Sequence, residues 1–324
     1  MVEYDVVTFG SNTVDYFVYS DSELIEIKAP NFNESLLAYP YGSKQLIKEF
    51  SKSIGGGGTN TSVAFSRLKL NTGYCGVLGK DTNATEVMKK LRSEKVDFVG
   101  DVIDESTGFS IILDSFEKDR TILTYKGANN HLKYENLDLS KLNTNWFYFS
   151  SLVNESFETM KKLFNYSKEN NINVAFNPSS YQVDKLKMNE IENVDYLIFN
   201  KEEAESFLNV KKENISSIID ELSKYVHPVI THGKNGAYTV NEGDVYHIVP
   251  NEIEVVESTG AGDAFASGFI FGRIKGYNIL DSLKFGLLNS ESVITYKSAK
   301  KGLLHYDDIM KKFNEMDFEI NKLN

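Results

Sequence analysis

Apolar residues along the chain alternate between two rhythms. Short continuous runs, each closed by turn or cap residues, occur at Val6-Val7-Thr8-Phe9, Trp146-Phe147-Tyr148-Phe149, Val174-Ala175-Phe176, Tyr196-Leu197-Ile198-Phe199 and Pro228-Val229-Ile230-Thr231. They are rich in β-branched and aromatic side chains and have strand length, so they predict buried β-strands. Between them lie stretches of helical period at about 62–70, 82–93, 156–170, 201–208, 215–225, 261–275 and 280–298. Strands alternating with helices predict a mainly parallel sheet covered on both faces, an α/β fold.

Two segments break the alternation. From Val14 to Ile54 only short alternating runs occur, such as Tyr16-Phe17-Val18-Tyr19 and Leu24-Ile25-Glu26-Ile27. From Gly108 to Tyr125, Ser110-Ile111-Ile112-Leu113 and Thr121-Ile122-Leu123-Thr124 flank the polar turn Glu117-Lys118-Asp119, a hairpin pattern. Together, about 14–54 and 108–126, they predict a small antiparallel sheet standing off the main one. Without repeats or a Pro/Gly/Ser linker, 1–324 is expected to be a single domain carrying this lid.

Composition narrows the function. The 324 residues carry a net charge of −11, and an acidic surface repels phosphate backbones, so general nucleic-acid binding is not expected. One cysteine, Cys75, forms neither an internal disulfide nor a thiolate cluster and reads as a buried thiol. No signal peptide or membrane span is evident, and a soluble cytoplasmic protein is expected.

Chemistry concentrates in two glycine-rich turns. Ser258-Thr259-Gly260-Ala261-Gly262-Asp263 follows Val255-Val256 and opens a helix. Small residues there leave backbone N–H groups uncovered, and with the helix dipole they make an anion site. Asp263 would repel a phosphate, but it suits a general base beside one. The plainer account is a glycine cap with a favourable first-turn acid. The second turn, Gly55-Gly56-Gly57-Gly58-Thr59-Asn60, allows close backbone approach, and Asn60 both donates and accepts hydrogen bonds. No Gly-Lys-Ser/Thr follows, so it is not a Walker loop. Arg120, beside the hairpin turn, is a candidate for a substrate phosphate or carboxylate, or else a solvated hairpin charge.

The chain resembles the ribokinase-like (PfkB-type) sugar and nucleoside kinases over nearly its whole length. Gly56, Gly57, Asn60, Ser66 and Gly73 match the first family signature, and Glu257-Ser258-Thr259-Gly260-Ala261-Gly262-Asp263 the second. Asn200-Lys201-Glu202-Glu203 fits the family's Asn-x-x-Glu, Thr231-His232-Gly233-Lys234-Asn235-Gly236 its Thr-x-Gly-x-x-Gly, and Gly10 with Asp15 the early Gly-x-x-x-x-Asp. The resemblance implies a three-layer sandwich with a β-sheet lid, an ATP- and Mg²⁺-dependent reaction, and a homodimer joined through the lid. It implies Asp263 as base, with the amides of Gly260, Ala261 and Gly262 holding the transferring phosphoryl group. Asp15, Gly57 and Asn60 would hold the acceptor's hydroxyls. Asn200 and Glu203 would lie near Mg²⁺ and its waters. Thr231, Gly233 and Gly236 would line the nucleotide phosphates, and Asn289 the base pocket.

Two departures bear on function. Glu257 and Ser258 replace the family's Asp-Thr, at a position that helps shape a monovalent-cation site in relatives, so stimulation by potassium is expected to be lost. Gly57 stands where ribokinases proper carry lysine, which weakens ribose as the substrate. The expected activity is phosphorylation of a small sugar or sugar acid. The alternatives are a nucleoside kinase stacking its base on lid aromatics such as Tyr16, Phe17, Tyr39 and Tyr41, and a catalytically silent sugar-binding protein.

Overall fold

A computed structural model describes residues 2–20, 24–29, 32–37, 41–114, 120–211 and 214–323. In chain order the strands are β1 (Val6–Phe9), β2 (Thr13–Ser20), β3 (Leu24–Ala29), β4 (Phe32–Leu37), β5 (Ile47–Gly55), β6 (Thr72–Cys75), β7 (Val77–Gly79), β8 (Asp97–Phe98) and β9 (Asp101–Ile103). There follow β10 (Phe109–Asp114), β11 (Arg120–Tyr125), β12 (Trp146–Phe149), β13 (Asn173–Phe176), β14 (Tyr196–Asn200), β15 (His227–Thr231), β16 (Ala237–Asn241), β17 (Asp244–Ile248) and β18 (Ile320–Leu323). The helices are α1 (Gly57–Arg67), α2 (Thr82–Ser93), α3 (Glu155–Glu169), α4 (Ser180–Val183), α5 (Lys201–Phe207), α6 (Ile215–Leu222), α7 (Ala261–Ile274), α8 (Ile279–Val293) and α9 (Tyr306–Glu315).

The main sheet runs β18-β17-β16-β15-β14-β13-β12-β1-β6-β8, parallel from β15 to β8 and antiparallel at its other end. Its strands bury both faces by strict alternation. Val7, Phe147, Phe149, Val174, Phe176, Leu197 and Phe199 enter a core shared with residues of α3, α5 and α6. Val6, Tyr148, Ala175, Ile198 and Val229 enter the opposite core, with residues of α1, α7, α8 and α9. The result is the expected three-layer sandwich. Helices α7 and α8 approach closely because Gly268 and Gly272 lie one turn apart on the contact. A Cβ on Gly268 would stand 2.4 Å from the Phe285 carbonyl oxygen.

The lid is a separate four-stranded sheet, β11-β10-β2-β5. It is mixed rather than antiparallel, because β2 and β10 pair in parallel. The turn Glu117-Lys118-Asp119 and Tyr39 lie outside the described residues. Arg120 is placed only as the first residue of β11, opposite Asp114, and its side chain is outside the description. No described helix is long and apolar enough to cross a membrane.

Candidate active site

The chemistry-bearing residues gather at the carboxyl ends of the parallel strands, where open α/β sheets bind ligands. Directly after β1, Gly10 lets the N-terminus of α1 come against the sheet. A Cβ there would lie 1.9 Å from Ser150 Oγ and 2.7 Å from the Gly58 nitrogen. Gly56, at φ 92°, turns the chain from lid strand β5 into α1. The helix therefore starts five residues before the expected 62, at the end of the glycine run. Its first turns bury Thr59, Asn60, Thr61 and Ser62.

Helix α7 begins opposite α1. Gly260 caps it in the left-handed region, at φ 84°. Asp263, in the first turn, accepts a hydrogen bond at its Oδ2 from Asn60 Nδ2 at 2.7 Å, across 203 residues of sequence. Burial pushes the Asp263 carboxyl above its ordinary value, while the Asn60 hydrogen bond and the nearby Lys300 charge oppose that rise. Its other oxygen faces Gly57, where an added Cβ would lie 3.4 Å away.

The three expected anion-binding amides are not equivalent. Ala261 N–H is already committed to the Ser258 carbonyl at 3.1 Å. That corrects the expectation for Ala261 in this state. The N–H groups of Gly262 and Asp263, at the start of the helix, have no intrahelical acceptor, and nothing lies within 4 Å of where a Gly262 side chain would be. The backbone is bare at that point.

Asp15 reaches the site from the lid. Burial raises its carboxyl, against hydrogen bonds from Thr13 and Ser110 and the charges of Lys300 and Lys126. A Cβ on Gly55 would fall 1.9 Å from Asp15 Oδ2, so glycine is needed beside it. Across the lid, Ser53, Asp15, Ser110 and Thr124 pair in one transverse row, so hydroxyls flank the carboxylate on both sides.

At the other end of the strand row, Asn200 and Thr231 are paired neighbours on β14 and β15. Asn200 caps α5 reciprocally with Glu203: its Oδ1 accepts from the Glu203 nitrogen at 2.7 Å, and Glu203 Oε2 accepts from the Asn200 nitrogen at 3.0 Å. Burial raises the Glu203 carboxyl. Among the described residues no three His, Cys, Asp or Glu side chains form a metal cluster. One carboxylate and a cap amide instead fit a magnesium ion held chiefly by phosphates and water. Gly233 lies in open space at φ 52°, whereas Gly236, at φ 86°, packs against the Ile248 carbonyl, its nitrogen bonded to the Gly233 carbonyl at 3.0 Å and its oxygen to the His232 nitrogen at 2.8 Å.

Asn289 is engaged within the protein. It is fully buried, its Nδ2 donates to the Ala264 carbonyl at 2.9 Å, and its Oδ1 accepts from the Leu304 nitrogen at 3.0 Å. It ties α8 to α7. The neighbouring face of α8 does border a cleft of about 520 Å³, through Leu288, Glu291 and Ser292, together with Ile253, Thr295 and Tyr296. One step of about 100° around a helix separates the two faces. Of the lid aromatics expected of a nucleoside site, Tyr16 is committed elsewhere. Tyr16 donates to Asn83 Oδ1 at 2.7 Å and packs on Phe50 and Phe109, and Tyr41 is fully exposed.

The most consequential residue was not anticipated. Lys300, in the loop after α8, is 4% exposed and donates to the Ile54 carbonyl at 2.7 Å, to Thr59 Oγ1 at 3.0 Å and to Asn60 Oδ1. An ammonium group thus lies against the first glycine turn although Gly57 carries none. In sequence Lys300 is indistinguishable from its exposed neighbours Lys297 and Lys301.

Fold and site together define a phosphoryl-transfer enzyme of the α/β class. The chain belongs to the pfkB family of carbohydrate kinases, whose family model matches residues 23–305. It is 30% identical over 287 residues to a ribokinase of Lactococcus lactis, covering 84% of this chain and 90% of that protein. It is 26% identical over 320 residues to an ATP-dependent 6-phosphofructokinase of Thermoanaerobacterium thermosaccharolyticum, covering 94% and 98%. Arabidopsis thaliana ribokinase, solved with ribose and ATP, superposes with a TM-score of 0.80 at 19% identity, covering 96% of this chain and 99% of that one. The protein is therefore an ATP-dependent kinase that phosphorylates an alcohol group of a sugar or nucleoside.

Proposed function

We propose that the protein transfers the γ-phosphate of ATP to a hydroxymethyl oxygen of a small sugar or sugar acid, with Asp263 as general base. The observation that carries this reading is the Asp263 carboxylate, held by Asn60 on one oxygen and open toward Gly57 on the other. The acceptor hydroxyl gives its proton to that carboxylate as its oxygen bonds to the γ-phosphorus, and the bond to the β,γ-bridging oxygen breaks to release ADP. The unpartnered N–H groups of Gly262 and Asp263 lie where the transferring group's charge develops.

Asp15 and its row of hydroxyls suit a polyol, since a carboxylate accepts from several hydroxyls and fixes which one faces the base. That polar row, with the commitment of Tyr16, favours a sugar over a nucleoside. Asn60 contributes less to the acceptor than its residue type suggests, because both ends of its amide are engaged within the protein. Thr231, Gly233 and Gly236 are assigned to the nucleotide phosphates, and the cleft beside α8 replaces Asn289 as the place for the base. Magnesium, held through water by Asn200 and Glu203, would offset phosphate charge.

Measuring ADP release against a panel of sugars, sugar acids and nucleosides tests the reading. Turnover on a sugar or sugar acid at least tenfold above every nucleoside is expected, and a nucleoside as the best acceptor would overturn it.

A further inference from the structure

We propose that Lys300 is a positioning residue for phosphoryl transfer, holding the Asn60 amide in the one orientation that directs an N–H at Asp263. This rests on the reading of Asp263 as the base.

The argument is one of donors and acceptors. An ammonium group only donates, so the Asn60 atom facing Lys300 Nζ must be the amide oxygen. The nitrogen then faces Asp263, where an ionised carboxylate only accepts. Both ends demand the same orientation, and each opposes a flip. A flipped amide would aim its oxygen at the carboxylate, disfavouring the charged form that acts as base.

Lys300 is itself fixed. Its three acceptors, the Ile54 carbonyl, Thr59 Oγ1 and Asn60 Oδ1, account for its three donors. Thr59 Oγ1 donates its own hydrogen bond to the Gly55 carbonyl at 2.6 Å. From the far end of α1, Arg67 grips the backbone of the same loop, donating to the Lys300 carbonyl at 2.7 Å and the Leu303 carbonyl at 3.1 Å while paired with Glu94. Residue 300 is thus held at both ends of one helix.

None of the three acceptors is a carboxylate. A buried ammonium without a direct ion pair is a costly arrangement that stability alone would not select. The charges acting on it are Asp15 from β2, Asp263 from α7, and Lys90 and Glu94 from α2. Burial pushes Lys300 down to about 7, with Asp15 and Asp263 opposing. In return its positive charge lowers the Asp263 carboxyl.

Lys300→Met, Asn60→Ala, their double variant and Asp263→Asn, assayed side by side, test the proposal. Lys300→Met should lower kcat about 10- to 100-fold, the scale expected of a misplaced catalytic group, with nucleotide Kd and acceptor KM within about threefold. Its acid limb of kcat should move to higher pH, because removing the positive charge lets the Asp263 carboxyl rise. The double variant should be no slower than Asn60→Ala alone, since Lys300 acts through Asn60. An unshifted limb with near-normal kcat, or losses that multiply in the double variant, would overturn the role. If Lys300→Met does not fold, Lys300→Leu, which likewise carries no donor, makes the same comparison. An active Asp263→Asn would instead sink the base assignment, and an inactive Asp263→Asn beside a normal Lys300→Met would sink only the lysine's role.

Discussion

Gly57 and Asp263 face each other across the start of two helices with no side chain between them. A Cβ on Gly57 would stand 2.8 Å from Ser150 Oγ and 3.4 Å from Asp263 Oδ1. On the proposed reading, the acceptor hydroxyl approaches the open oxygen of Asp263 through this gap.

Gly57→Ala should therefore fold, since only Ser150 must yield, yet raise the acceptor KM and lower kcat/KM about tenfold or more. Adding Ser150→Ala removes the nearest clashing oxygen and should restore part of the loss. Steady-state kinetics on the single and double variants check this. An unimpaired Gly57→Ala would show that the acceptor does not enter by this gap.

Glu257 predicts indifference to potassium. Its backbone is pinned by a hydrogen bond from its nitrogen to the Ile294 carbonyl at 3.1 Å, with Val256 bonding the same oxygen at 2.9 Å. A carboxylate one methylene longer than aspartate, on a fixed backbone, is displaced by about an ångström, and cation sites depend on closely placed oxygens. Activity in potassium chloride and in tetramethylammonium chloride at equal ionic strength should differ by less than about threefold, roughly 0.65 kcal/mol in barrier. A saturable tenfold stimulation by potassium would contradict this.

The lid predicts assembly. Phe50, Ile122, Leu123 and Tyr125 are each between 45% and 61% exposed, and β5 and β11 form the sheet's edges. Exposed edges with apolar side chains invite pairing with a second copy. Light scattering at tens of micromolar should give a dimer, which Phe50→Lys with Leu123→Lys should dissociate. A monomer at every concentration would refute it.

Lys300 predicts an unusual stability profile. Its proton is held less firmly in the folded chain, at about 7, than at its ordinary 10.5. Between those values the unfolded chain binds more protons, so this group makes stability rise with pH, by at most about 1.4 kcal/mol per pH unit. Lys300→Met removes that contribution. Its stability relative to the parent protein should be highest near pH 7 and decline toward pH 10. Urea unfolding of both at pH 7, 8.5 and 10 measures the difference, and parallel profiles would contradict the burial of a charge at this position.

What the sequence disclosed follows from the range of each interaction. The alternation of Val6 and Val7, or of Tyr148 and Phe149, between two cores is a local pattern of period two, and it located the strands. The cap before Asp263 was legible because backbone turn chemistry lies within four residues. The helical period runs to 298, but α8 stops at Val293 in a turn where the Tyr296 nitrogen bonds the Val293 carbonyl at 3.1 Å, and the Ile294 carbonyl beyond it is taken by the nitrogens of Val256 and Glu257 from a remote segment. That Asn289 is buried between α8 and α7 was not legible, because a family position does not fix which face of a helix meets which neighbour. Lys300 was invisible because its acceptors lie some 240 residues away, at Ile54, Thr59 and Asn60.

The most direct test of the account is the rate of phosphoryl transfer in Asp263→Asn, measured by rapid quench in a single turnover on the best acceptor of the panel. Asparagine keeps the shape and removes the base. The rate should fall by about 10²–10⁴-fold while nucleotide and acceptor affinities stay within several-fold. A variant that retains more than about a tenth of the original rate would contradict the assignment of Asp263 as the group that takes the proton.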